Sequence, residues 1–152
     1  MLREKINQVM KDSMRAKDQE TLATIRLIMA KLKDQDIAAR SKGNHDGIKD
    51  DEIISMMQGM IKQRHESAAL YEKGNRPELA AKENAEIVVI NQFLPEQMDD
   101  DAVKAAIEKI IVDTGAAGVK DMGKVMASLK AGYAGKMDFS KVSAAVKAAL
   151  VG

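Results

Sequence analysis

From Leu2 to Leu150 the apolar residues of this 152-residue chain recur three and four positions apart, in stretches too long to be strands. That spacing lines side chains along one face of an α-helix, and a chain patterned this way can bury its apolar surface only by packing helix on helix. One segment departs from it: the run IVVI, Ile87–Ile90, read alone suits a strand. Its leader ELAAKENAE is helical in character and no partner strand exists elsewhere, so it too is assigned to a helix. Four adjacent apolar residues point all around a helix, and this stretch is expected to be buried on several sides, where a second domain docks. Composition points the same way, with 3% aromatics, no Trp and 11 Met, because β-rich domains lean on branched and aromatic residues.

The expected fold class is all-α, with a helical N-terminal domain of about four helices over residues 1–94 and a three-helix C-terminal domain over 95–152. A first helix is predicted from Leu2 to about Ala16, with Leu2, Ile6, Val9, Met10 and Met14 inward. Asp18, or alternatively Thr21, caps a second helix running to about Arg40, with Leu22, Ile25, Ile28, Met29, Leu32 and Ile37 inward. Ser41–Gly47 reads as a loop. A third helix starts near Asp50 or Asp51 and stops at Gly74. Asn75 is expected to cap a fourth, from Pro77 to about Phe93. Leu94-Pro95 ends it, because a residue before Pro is pushed out of the α region. Beyond the linker Pro95–Met98, Asp99 caps a helix to about Asp113, Asp121 caps a short one, GYAG (Gly132–Gly135) turns the chain and Asp138 caps the last.

Several function classes drop out. Without Cys there is no disulfide, thiol catalysis or Cys-ligated zinc. No apolar stretch approaches the roughly 20 residues of a membrane span, and the N-terminus lacks the apolar block of a signal peptide, so a cytoplasmic location and no membrane partner are expected. No P-loop, GxGxxG or GxSxG motif occurs. Neither a metal nor a cofactor is expected: His45 and His65 have no reason to meet, and the acidic clusters Asp50–Glu52 and Asp99–Asp101 read as helix caps and first turns. An enzymatic reading requires Glu83 or Glu86, His65 and Arg64 to gather in one cleft. The methionines read as core filling, since most fall on the inward stripes.

Charge is more informative locally than in bulk. The whole chain carries only +1, but residues 95–113 set two Lys against six carboxylates, a net −4, and residues 114–152 set six Lys against two Asp, a net +4. Two basic stretches stand out. The principal one places Lys120, Gly123, Lys124, Lys130, Gly135, Lys136 and Lys141 about two helices and a Gly-rich turn; the secondary one is a basic turn with Lys62, Arg64, Lys73 and Arg76. Lysines beside helix N-termini, with a nearby Tyr, suit a module that reads RNA shape through phosphate and sugar. Gly123 lowers helix propensity by about 1 kcal/mol relative to Ala. Close approach of a neighbouring helix or a ligand backbone is the expected reason for it.

These stretches carry a resemblance spanning essentially the whole chain. TLATIRLIMAKLKDQDI (Thr21–Ile37), KQRHES with YEKGNRPELAAKENAEI (Lys62–Ile87), FLPEQM (Phe93–Met98), GAAGVKDMGKVM (Gly115–Met126) and GKMDFSKVSAAVKAAL (Gly135–Leu150) resemble the GatB/YqeY family, specifically its stand-alone YqeY-like members. At GYAGKMDF the chain departs from the more open, basic, Gly-rich turn of family members. The resemblance implies a helical N-terminal domain and a C-terminal part similar to the tail of the B subunit of the glutamine-dependent aminoacyl-tRNA amidotransferase, where the tail helps hold tRNA. It implies a tRNA partner, and it implies no enzyme: the amidotransferase's kinase and amidase chemistry lies in regions without counterpart here, so carbon–nitrogen ligase activity with glutamine as amide donor belongs to the larger protein. The alternative is a protein–protein adaptor docking on an aminoacyl-tRNA synthetase or amidotransferase without direct RNA contact. No DNA partner is expected.

Overall fold

The computed structural model describes residues 1–151, which form seven α-helices and one short 3-10 turn, with no strand among the described residues. The all-α expectation therefore holds. The chain divides into two compact units, Met1–Leu94 and Pro95–Gly152.

The first unit contains α1 (Leu2–Ala16), α2 (Gln19–Arg40), α3 (Asp50–Lys73) and α4 (Pro77–Asn91). Its core is aliphatic and thioether-rich: Ile6, Ile25, Ile28, Ile53, Met56, Met57, Met60 and Ile90 are buried, and Phe93 joins them from just beyond α4. Each fully buried side chain of this size contributes roughly 1.5–3 kcal/mol relative to exposure. Local chemistry sets the helix ends. The Asp18 carboxylate accepts from Thr21 N (3.1 Å) and Thr21 Oγ1 (2.6 Å), capping α2 as expected and holding the Asp18 carboxyl below its usual range. Asn75 is not the cap of α4: it takes a left-handed conformation (φ 56°), and Arg76 occupies the cap position without a side-chain bond.

Two apolar assignments fail because a 3.6-residue stripe does not say how wide its partner is. On α1, Ser13 is buried, its hydroxyl donating to Val9 O at 2.8 Å, whereas Met14 is 54% exposed. Ile37, near the end of α2, is 53% exposed. The IVVI run is buried at Ile87 and Ile90 and partly at Val89, with Val88 alone open at 71%.

A polar clasp fastens α1 to α2 and to the segment entering α3. Arg3 donates in a fork to both Asp36 oxygens (2.8 and 2.7 Å) and also to Ile48 O (2.9 Å), while Ile48 N donates to Asp36 Oδ1 (2.9 Å). Gly47 makes the approach possible: a Cβ there would stand 2.8 Å from the Arg3 guanidinium and 2.9 Å from Asp36, and its φ of +89° suits glycine. On the other side, α3 and α4 form a helical hairpin. Arg64 Nε meets Glu86 at 2.9 Å with both side chains largely buried, and Ala68 and Ala80 are buried towards its turn.

The second unit contains α5 (Asp100–Thr114), a 3-10 turn (Val119–Asp121), α6 (Met122–Gly132) and α7 (Phe139–Val151). Ala106 and Ile107 from α5, Val125 and Leu129 from α6, and Val142 and Val146 from α7 close around Met137. Asp99 caps α5 through Ala102 N (2.7 Å), and Asp138 accepts from Ser140 N (3.0 Å) at the start of α7. Asp121 stands at the cap position of α6, but its carboxylate turns back to accept from Ala117 N (2.9 Å) instead of capping the helix.

Arg3 and Ile48 hold the Asp36 carboxyl below its usual range. Its contribution is therefore present above the unfolded carboxylate pKa of about 4 and lost as pH falls through the lower folded value. Asp36→Asn is expected to cost roughly 1–2 kcal/mol in denaturant unfolding at neutral pH. The gap between wild type and variant should shrink when the same unfolding is measured below pH about 4.

Candidate nucleic-acid interface

The Lys120–Lys124 segment is shaped by the loop that leaves α5. Gly115 ends α5 in a left-handed conformation (φ 66°), and the Asp121 bond to Ala117 N then folds residues 117–121 into a tight turn. That bond holds the Asp121 carboxyl below its usual range, and the nearby Lys120 and Lys124 ammoniums add to the effect. Lys124 Nζ also donates to Thr114 O (3.1 Å), an orphan carbonyl at the end of α5. Lys120 and Lys124 thus share one end of the unit.

Gly123 lies in the first turn of α6 and is exposed. Beyond its chain neighbours and its own helix backbone, nothing lies within 4 Å of where its Cβ would stand, so no neighbouring helix accounts for the glycine, contrary to one of the two expected reasons. What remains is a bare strip of backbone beside Lys124.

Lys130, Lys136 and Lys141 are placed by the other end of α6. Lys130 sits in its last turn, exposed. The GYAG turn follows, with Tyr133 half-buried against the core and Gly135 buried at φ 76°. Gln97 Nε2 donates to Gly135 O (2.6 Å), and Met98 N donates to Lys136 O (2.9 Å), stitching the start of the unit onto this turn. Gln97 is the positioning residue that sequence reading missed; its only signal was its place inside FLPEQM. The Lys136 side chain is exposed beside a shallow hollow lined by Glu96, Gln97, Met98 and Tyr133. Lys141, in the first turn of α7, stands on the rim of a groove of about 660 Å³ with Lys104, Asp100, Glu108 and Asp138.

The principal lysines therefore do not form one stripe along α6. At 100° and 1.5 Å per residue, Lys124 and Lys130 differ by about 120° around the axis and about 9 Å along it. Lys120 and Lys124 form one group, and Lys130 and Lys136 lie at the opposite end of the helix.

The secondary basic turn is less available. Arg64 is committed internally, with Nε on Glu86 and NH1 on Met60 O (3.1 Å). Lys62 and Lys73 are exposed, and Arg76 lies 3.8 Å from Glu78 in a surface pair of little energetic weight. Arg64 and Glu86 do meet, but His65 is exposed and no group of three or more His, Asp or Glu residues suited to a metal occurs among the described residues. No helix among them is long and apolar enough to cross a membrane.

Comparison with known proteins bears on the chain as a whole. The family model described as Yqey-like protein matches residues 3–150. One relative, named altered inheritance of mitochondria protein 41, mitochondrial, from Pyrenophora tritici-repentis (strain Pt-1C-BFP), is 31% identical over 127 residues, which cover 80% of this chain and 67% of the relative. Neither description names a catalytic activity. With almost the full length matched by one family model, this chain belongs to the YqeY-like family.

Proposed function

We infer that this YqeY-like chain is a non-catalytic tRNA-binding accessory module whose second unit supplies the phosphate contacts. The supporting observation is electrostatic. Lys120, Lys124, Lys130, Lys136, Lys141 and Lys147 are all exposed, and none has a carboxylate within 4 Å among the described residues. Every ion pair among those residues lies in the first unit. Cations left without internal partners keep their attraction for an external polyanion and release its counterions on binding. Lys124 is the one already engaged, on a neutral carbonyl that a phosphate oxygen would outcompete.

The resemblance drawn from the sequence, with a C-terminal part like the amidotransferase B-subunit tail, is what points to tRNA as the polyanion. Two groups of lysines at the ends of α6 suit a folded RNA with phosphates on separated strands better than a single extended strand. Contacts of this kind orient the RNA and carry little sequence information. On this reading the protein works in a compartment where tRNA is processed, and the cytosol is our assignment.

Titration with total tRNA at two salt concentrations tests the inference. Affinity should fall steeply as salt rises, and Lys120→Gln with Lys124→Gln should reduce the salt slope by about one per lost contact. Absent binding, or binding indifferent to salt, sinks it. Gly123→Ala gives an independent reading: with open space around it, this change should stabilise the chain by up to about 1 kcal/mol in thermal unfolding. The added methyl should nevertheless weaken tRNA binding if a phosphate approaches that bare backbone.

A further inference from the structure

Core packing accounts for only one face of α2. Leu22, Ile25, Ile28 and Leu32 are buried on it. The opposite face is open, yet it is not uniformly polar. Ala23, Leu27, Ala30, Asp34 and Ile37 follow spacings of four and three and fall on one line down that face. All five are exposed, Leu27 at 46% and Ile37 at 53%. This is the spacing by which two helices pack along a seam.

One edge of the seam is a basic rail. Arg26, Lys33 and Arg40 recur every seven residues and span about 21 Å at 1.5 Å per residue. All three are exposed, and no ion pair among the described residues involves them. Arg40 feels Asp36, but that carboxylate is already held by Arg3 at 2.7 Å. Lys31 stands on the other edge.

We propose that this outer face of α2 docks one amphipathic helix of a partner protein, with its apolar stripe over Leu27 and Ile37 and carboxylates opposite Arg26, Lys33 and Arg40. Charge excludes the simplest competitor. A second copy packed parallel sets the rail against Lys31, and one packed antiparallel sets rail against rail, so both arrangements oppose like charges. A polyanion has no use for an apolar line at the centre of the face with cations displaced to one edge. A lipid surface calls for a broad apolar face with cations flanking it. Small Ala23 and Ala30 let a partner helix come close. A polar residue within a seam fixes register, so the partner presents a Lys or Arg opposite Asp34. The proposal is independent of the tRNA reading, which concerns lysines of the other unit.

The test uses the full-length chain and a fluorescent peptide of about three heptads with Leu along the seam, Glu on both flanks and one Lys placed to face Asp34. Saturable binding is expected. The triple variant R26E/K33E/R40E should weaken it by about tenfold or more and gain affinity for the same peptide with Lys flanks. Leu27→Asp should weaken binding as well. Circular dichroism and melting should be unchanged, since all four positions are exposed; if the charge reversal lowers the melting temperature, R26Q/K33Q/R40Q replaces it. Failure of the Glu-flanked peptide to bind overturns the proposal, as does equal binding of the Glu- and Lys-flanked forms. A triple variant that loses tRNA affinity while peptide binding is untouched overturns it too, by assigning the rail to RNA. A wild-type chain that ignores tRNA but takes the peptide removes only the tRNA reading.

Discussion

The Asp36 carboxylate ties together three stretches of the first unit with directional bonds that their shared apolar core does not supply. It projects from α2, takes both arms of the Arg3 fork from α1 and receives the Ile48 amide just ahead of α3. Arg3 completes the circuit by donating to Ile48 O, and Leu2 N reaches Asp50 at 3.3 Å. A helix as short as α1, 15 residues, is marginal alone in water, and within it only Ile6 and Ser13 are buried. The clasp supplies direction where the apolar contact supplies mainly adhesion. It also imposes the loop: Gly47 must lack a side chain so that guanidinium and carboxylate can close above it.

Much of this architecture could be read from the sequence because its determinants are local. Asp18, Asp99 and Asp138 each act on a backbone amide two or three residues ahead, and such signals survive without tertiary knowledge. The departures come where a distant group decides. Asp121 fits a cap by position, but its carboxylate is captured by Ala117, and Met14 and Ile37 lie on predicted inward faces that nothing covers. Arg64 looked like part of a basic turn until Glu86, 22 residues away, claimed it. Among the candidate contact residues, exposure of the lysines followed from pattern. Their separation into two groups depended on the length of α6 and on the Gln97 bond to Gly135, which spans 38 residues.

The two units treat charge differently. The first neutralises its strongest cations internally, through Arg3 with Asp36 and Arg64 with Glu86. The second sorts charge by element: carboxylates gather on α5 and the chain leading into it, lysines on the 3-10 turn, α6 and α7, and no pair closes to 4 Å among the described residues. Sorted charge of this sort gives a small domain a directed field, which orients it towards an oppositely charged surface before contact.

The near-absence of aromatic rings has an optical consequence. There is no Trp, and the two Tyr fall one to each unit, Tyr71 on α3 and Tyr133 in the turn after α6, both half-buried. Excited in the tyrosine band, where the two Phe scarcely absorb, the native polypeptide therefore emits from two phenols. Exchanging either for Phe leaves a single tyrosine emitter, so the melting of each half can be followed spectroscopically without attaching a dye.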